Sequence, residues 1–120
     1  MTEPTNISEQ GHLLRIFIGE SDRHEGMPLY EWLVRKAKEK GLSGATVMRG
    51  VEGFGARSRI RSARPLDLST DLPIIVEIID ELPKIEAFMP IVDEVVLEGL
   101  ATIEKVQIRL YRTKRKQVST

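Results

Sequence analysis

The sequence predicts an α+β domain of four strands and two helices in the order βαββαβ. Three observations carry the prediction. Four segments alternate apolar and polar side chains or run apolar over strand length, two repeat apolar residues at helical spacing, and a long polar stretch parts the second strand from the third. The chain has 120 residues and 41% hydrophobic content, enough for one domain with one modest core.

His12 to Gly19 forms the first strand, with Leu14, Ile16 and Ile18 on one face and Leu13, Arg15 and Phe17 on the other. A polar loop runs from Glu20 to Gly26. Pro28 then suits a first helical turn, where its missing N–H is harmless. Leu29, Leu33 and Ala37 continue as a helical stripe flanked by Tyr30 and Val34, with Trp32 packing at its flank, and Gly41 ends the helix. Ala45 to Phe54 reads as the second strand. Ala56 to Ser69 is polar and basic, too charged for a core, and its part from Ala56 to about Pro65 is expected to be mobile without ligand. Leu72 to Ile79 is the strongest strand signal in the chain. The second helix starts near Pro83, carries Ile85, Phe88, Met89, Val92 and Val96, is expected to kink at Pro90, and stops at Gly99. Thr102 to Tyr111 completes the pattern as the fourth strand.

Two βαβ halves joined by a long connection spell the ferredoxin-like arrangement: a four-stranded antiparallel sheet with two helices on one face. The other face should then be polar, yet Leu13, Phe17, Ile75 and Ile79 fall there. Each such side chain left in water forgoes roughly 1.5–3 kcal/mol, so the face calls for a cover. The long loop or the tail could fold over it; self-association through the sheet is the preferred reading. Residues 1–11 read as a flexible N-terminal lead, 12–112 as the folded domain and 113–120 as a basic C-terminal tail.

Eighteen basic residues balance eighteen acidic ones, so no global field draws the chain to nucleic acid or a membrane. There is no cysteine, which removes disulfides, thiolate nucleophiles and thiolate metal sites together. No signal peptide or membrane-spanning run is visible, and a cytoplasmic protein is expected. Glu20, Asp22, His24 and Glu25 resemble a metal cluster, although loop polarity accounts for them equally well. Glu77, in an apolar strand, is expected to be a paired structural carboxylate.

The segment Val51 to Ile60 carries the most chemistry. Glycines let backbone N–H groups approach a ligand and permit positive φ, successive N–H groups can cradle an anion, and arginines downstream can clamp phosphate oxygens. A glycine-bearing strand end leading into a solvated loop explains the same spacing.

Gly53-Phe54-Gly55, opening a long loop in a βαββαβ chain, resembles the start of the T-loop of the PII signalling proteins. The chain is similar above all to an uncharacterised PII-related branch of bacteria and archaea, through Leu14-Arg-Ile-Phe-Ile-Gly-Glu-Ser-Asp-Arg23, Gly44-Ala-Thr-Val47, Gly53-Phe-Gly55 and Asp71-Leu-Pro-Ile-Ile-Val-Glu77. The similarity runs from about residue 12 to 111. It implies a homotrimer with the three sheets facing inward. It also implies an adenine nucleotide between subunits and a T-loop that reports occupancy to a partner, such as a membrane transport protein or a metabolic enzyme.

Gly53, Phe54 and Gly55 would form the T-loop base. Arg57 stands where PII proteins carry a glutamine near the ligand, with Arg59 beside it. Arg109 and Arg112 fall in a C-terminal strand region where PII proteins place arginines on phosphates. The glycine-rich phosphate-gripping loop of PII proteins is replaced here by Glu98-Gly-Leu-Ala-Thr102, so AMP or ADP is favoured over ATP. The loop from Gly55 to Asp71 has no tyrosine, so T-loop uridylylation is not supported.

Other functions fit less well. An acylphosphatase-like enzyme needs an anion cradle after the first strand, where Glu20 and Asp22 would repel phosphate. No Ser–His–Asp or Cys–His set is present, so no enzyme is expected. An RNA-binding module of this topology needs aromatics on its central strands, and Phe17 is the one aromatic in the first and third strands. A non-catalytic structural or metal-binding trimer of the same fold is the alternative.

Overall fold

Alternation along β1 (Gln10–Gly19) sends Leu14, Ile16 and Ile18 to one side of the sheet, where none is more than 5% exposed. A computed structural model describes residues 9–55, 61–62 and 71–114. The remaining sheet strands are β2 (Ala45–Arg49), β3 (Pro73–Asp80) and β4 (Leu100–Gln107). The sheet order is β2-β3-β1-β4 with every neighbouring pair antiparallel. With helices α1 (Leu29–Glu39) and α2 (Leu82–Val95), this is the ferredoxin-like α+β fold.

The core forms where both helices meet one sheet face. Leu29, Leu33 and Ala37 of α1 and Ile85, Phe88, Val92 and Val95 of α2 pack with Ile74, Val76 and Ile78 of β3. Trp32 is partly buried against this cluster, as its place on the helix flank predicts. Helix α1 ends in a Schellman turn. The Leu42 N–H donates to the Ala37 carbonyl at 3.0 Å and the Gly41 N–H to Lys38 at 3.1 Å, with Gly41 at φ 80°. A Gly41→Ala variant is therefore expected to lose about 1 kcal/mol in chemical denaturation, since a Cβ disfavours the left-handed region. An unchanged midpoint would count against that.

Several boundaries differ from the sequence expectation. The loop after β1 contains a short hairpin, Arg23–His24 paired with Met27–Pro28, turned by Glu25 and Gly26 at φ 50° and 79°. Two consecutive positive φ values match the twist of a two-residue hairpin, and Glu25 hides the signal because a glycine is expected there. Strand β2 ends at Arg49, not Phe54: the chain leaves the sheet at Gly50, whose N–H still donates to the Pro73 carbonyl at 2.7 Å. Glu52–Gly53 then pairs with Arg61–Ser62.

Helix α2 continues through Pro90 but stops at Val95, before Gly99. Gly99 serves a close approach instead, because a Cβ there would lie 2.5 Å from the Phe17 carbonyl oxygen. Strand β4 begins at Leu100 and ends at Gln107, so Arg109, expected within the strand, lies beyond it, as does Arg112. The expected lead also gives up its last residues to the sheet, since Gln10 starts β1. Most of the segment expected to be mobile, Ala56 to about Pro65, lies outside the described residues.

The helix-free face is organised in rows. Register aligns Met48, Ile75, Phe17 and Leu100 across all four strands. Below them lie Thr46, Glu77, Arg15 and Thr102, then Ile79, Leu13 and Glu104. Met48 is 40%, Ile79 41% and Leu100 57% exposed. The Met48–Leu100 row of this face is thus apolar and left uncovered by the described residues, while a polar row runs beside it. At one end Ile108 lies where a Cβ on Gly11 would be, and the Tyr111 hydroxyl donates to the Ser43 carbonyl. The tail therefore crosses one margin and leaves the Met48–Leu100 row open.

Candidate functional site

Antiparallel pairing gives the sheet two ends, and the sequence-derived site residues divide between them. At one end, Gly19 pairs with Pro73, and Gly50 and Gly53 both rest on the Pro73 ring. A Cβ on them would lie 3.1 and 3.2 Å from the Pro73 Cγ. Phe54 follows, 71% exposed, and none of the described residues lies within 4 Å of the position a Cβ on Gly55 would take. Neither Gly53 nor Gly55 has positive φ, contrary to the conformational role expected of them. Gly53 is small because it lies against proline; Gly55 leaves its backbone open to solvent.

Arg109 and Arg112 follow β4 at the opposite end, where Gln10 pairs with Gln107. The ten residues of β1 separate the two ends by about 30 Å at strand rise. One subunit thus does not bring these arginines to Gly53–Gly55. Arg57 and Arg59 lie outside the described residues.

The Gly53 end is tied together by contacts that residue spacing does not reveal. The Glu20 carboxylate pairs with Arg49 across the sheet end. The Glu20 N–H donates to the Leu72 carbonyl at 2.8 Å, and the Ser21 N–H to Asp71 Oδ1 at 2.8 Å. Asp22 Oδ2 accepts the Gly19 N–H at 2.9 Å, and its carbonyl accepts the first N–H of α1, from Leu29, at 2.7 Å. The would-be metal cluster is committed to these contacts and to the hairpin. Glu25 accepts the Trp32 indole N–H at 3.1 Å, and His24 meets the Trp32 ring edge-on at 4.5 Å. Among the described residues no three His, Cys, Asp or Glu side chains gather as a metal site. The signal for the clamp was present as the acidic run after β1, but a carboxylate's partner in a distant strand is set by tertiary pairing.

In the middle of the helix-free face, Arg15 Nε donates to Glu77 Oε2 at 2.7 Å and Arg15 Nη1 to Glu104 Oε1 at 3.3 Å. Glu77 is therefore a paired structural carboxylate, as expected. Its hydrogen bond, with the charges of Glu77 and Glu104, raises the Arg15 pKa above the ordinary guanidinium value against the pull of desolvation. No helix among the described residues is long and apolar enough to cross a membrane.

Solved structures similar to this chain include those of CPII, a PII-like protein. CPII of Thiomonas intermedia K12, bound to ADP and bicarbonate, superposes with a TM-score of 0.55 at 16% identity, covering 82% of this chain and 88% of that one. A second CPII structure, bound to ADP, AMP and bicarbonate, gives 0.56 at the same identity and coverage. In sequence, a UPF0166 protein of Aquifex aeolicus is 44% identical over 98 residues, which is 80% of this chain and 90% of that protein. Another UPF0166 protein, from Methanocaldococcus jannaschii, is 34% identical over 84 residues, 70% of this chain and 77% of the relative. The profile of the DUF190 family, described as "Uncharacterized ACR, COG1993", matches residues 11–108. The chain belongs to the DUF190 family and shares the ferredoxin-like fold of the PII-like CPII structures.

Proposed function

We propose that this protein is a PII-like regulator and not an enzyme. It would assemble as a homotrimer through its helix-free faces and hold AMP or ADP between subunits. It would report occupancy through the segment after Gly55 to a transport protein or metabolic enzyme. The observation that carries this reading is the exposed Gly55, following a Gly53 packed on Pro73, in a fold whose solved neighbours hold ADP and AMP. A cyclic trimer has heterologous contacts, in which one patch meets a different patch of the next subunit. That arrangement accommodates the 30 Å separation, since Arg109 and Arg112 of one subunit would serve the Gly53 end of another. Arg57 and Arg59 would complete the phosphate contacts.

Calorimetry on the full chain tests the reading. The connection from α2 to β4 is only Val96 to Gly99, with no room for a phosphate-gripping loop. AMP or ADP is therefore expected to bind at least as tightly as ATP. Gly55→Val is expected to abolish binding at unchanged thermal stability, because the new side chain meets none of the described residues and would block the ligand's approach to the backbone. If no adenine nucleotide binds at millimolar concentration, the ligand assignment is wrong.

A further inference from the structure

The loop after β1 closes both ends of the segment on which this site would be built. Glu20 reaches Arg49 at the segment's entry, and the backbone of Glu20 and Ser21 holds Leu72 and Asp71 at its exit. Asp22 fixes the loop in turn to Gly19 and to the start of α1. Glu20 thus stands on a rigid support with its side chain 22% exposed, whereas the Arg49 side chain is 56% exposed and open to an incoming anion. Arg49 adjoins Gly50, and Gly50 and Gly53 flank the same Pro73 ring, so Arg49 opens the stretch of chain that leads to the exposed Gly55.

We propose that Arg49 is a phosphate-binding residue of the nucleotide site and that Glu20 is its built-in competitor. The proposal rests on the nucleotide reading above and adds the residue through which occupancy is felt. Without ligand, the Glu20 carboxylate neutralises the guanidinium. A phosphate group carries up to two negative charges and several acceptor oxygens, and the planar guanidinium can meet two of them in parallel. It therefore takes Arg49 from the singly charged Glu20, and the entry clamp opens while the backbone ties at Asp71 and Leu72 hold.

Calorimetry with AMP on the full-length wild type and on Glu20→Gln, Arg49→Gln and the double variant tests the exchange, with circular dichroism to verify each fold. Arg49→Gln is expected to weaken AMP binding by about tenfold to a hundredfold, the range of one charge-assisted bond. Glu20→Gln is expected to tighten it about two- to fivefold, the range of one exposed ion pair. In the Arg49→Gln background, Glu20→Gln is expected to change nothing, because the carboxylate acts only through Arg49. Tightening in that background as well would mean that Glu20 merely repels phosphate, and would overturn the exchange. Unchanged affinities in both single variants beside a binding wild type overturn this proposal alone. A wild type that binds no nucleotide removes the nucleotide reading and this proposal with it.

Discussion

Ile75→Asp is expected to turn a trimer into a monomer. Ile75 lies at the centre of the Met48–Ile75–Phe17–Leu100 row, on the side of the sheet that no helix covers. Its aspartate would place an uncompensated carboxylate in the apolar part of the proposed interface. Leaving such a charge unpaired on burial costs several kcal/mol, and each trimer would contain three copies. The nearby Arg15 cannot neutralise it cheaply, being already engaged by Glu77 and Glu104. Within the subunit the change is mild, because the helix-side core of Ile74, Val76 and Ile78 is untouched. Light scattering should give a mass near three 13.6 kDa chains for the wild type and near one for the variant, with circular dichroism retained. A wild type that is monomeric and soluble at micromolar concentration would sink the trimer reading. A variant that stays trimeric would move the interface to another surface.

The largest effect on stability outside the apolar core is expected from Asp80→Ala. Asp80 is 1% exposed, the one buried charged residue among those described, and both its oxygens are used. Oδ2 accepts the Ser43 N–H at 2.8 Å, and Oδ1 accepts the Glu81 N–H at 2.7 Å, where α2 begins. One side chain thus joins the end of β3 to the starts of β2 and α2. Ser43 also receives the Tyr111 hydroxyl, so the tail depends on the same corner. Hydrogen bonds to a charged group contribute about 1.5–3 kcal/mol each, and alanine would also strand both N–H donors. A loss of about 3–5 kcal/mol is expected in chemical denaturation at matched protomer concentration, with Asp80→Asn recovering part of it. A loss below about 1 kcal/mol would show that water serves the two donors as well as Asp80 does.

The sequence by itself determined the class and order of elements. Alternation in β1 and β3 and the stripes Leu29–Leu33–Ala37 and Ile85–Phe88–Val92 are local patterns, and burial follows directly from them. It also exposed the doubly apolar sheet, because Leu13, Phe17, Ile75 and Ile79 break an alternation that a one-sided sheet would keep. Gly-Phe-Gly and its neighbouring motifs pointed to an uncharacterised PII-related branch; the chain matches the uncharacterised DUF190 family and shares its fold with PII-like structures.

Only the tertiary structure decided where each strand stops. Strand β2 ends at Arg49 because β3 offers partners from Ile74 to Ile78 and none beyond Pro73, a limit set by the partner strand and not by β2's own residues. Strand β4 slides towards the N-terminus for the same reason: Phe17 pairs with Leu100 and Gln10 with Gln107, which carries Arg109 and Arg112 off the sheet. The Glu20–Arg49, Arg15–Glu77 and Asp80–Ser43 contacts were equally hidden. Each joins residues more than twenty positions apart; a local alternation fixes which face a residue takes, but shifts by two residues keep that face and change every partner.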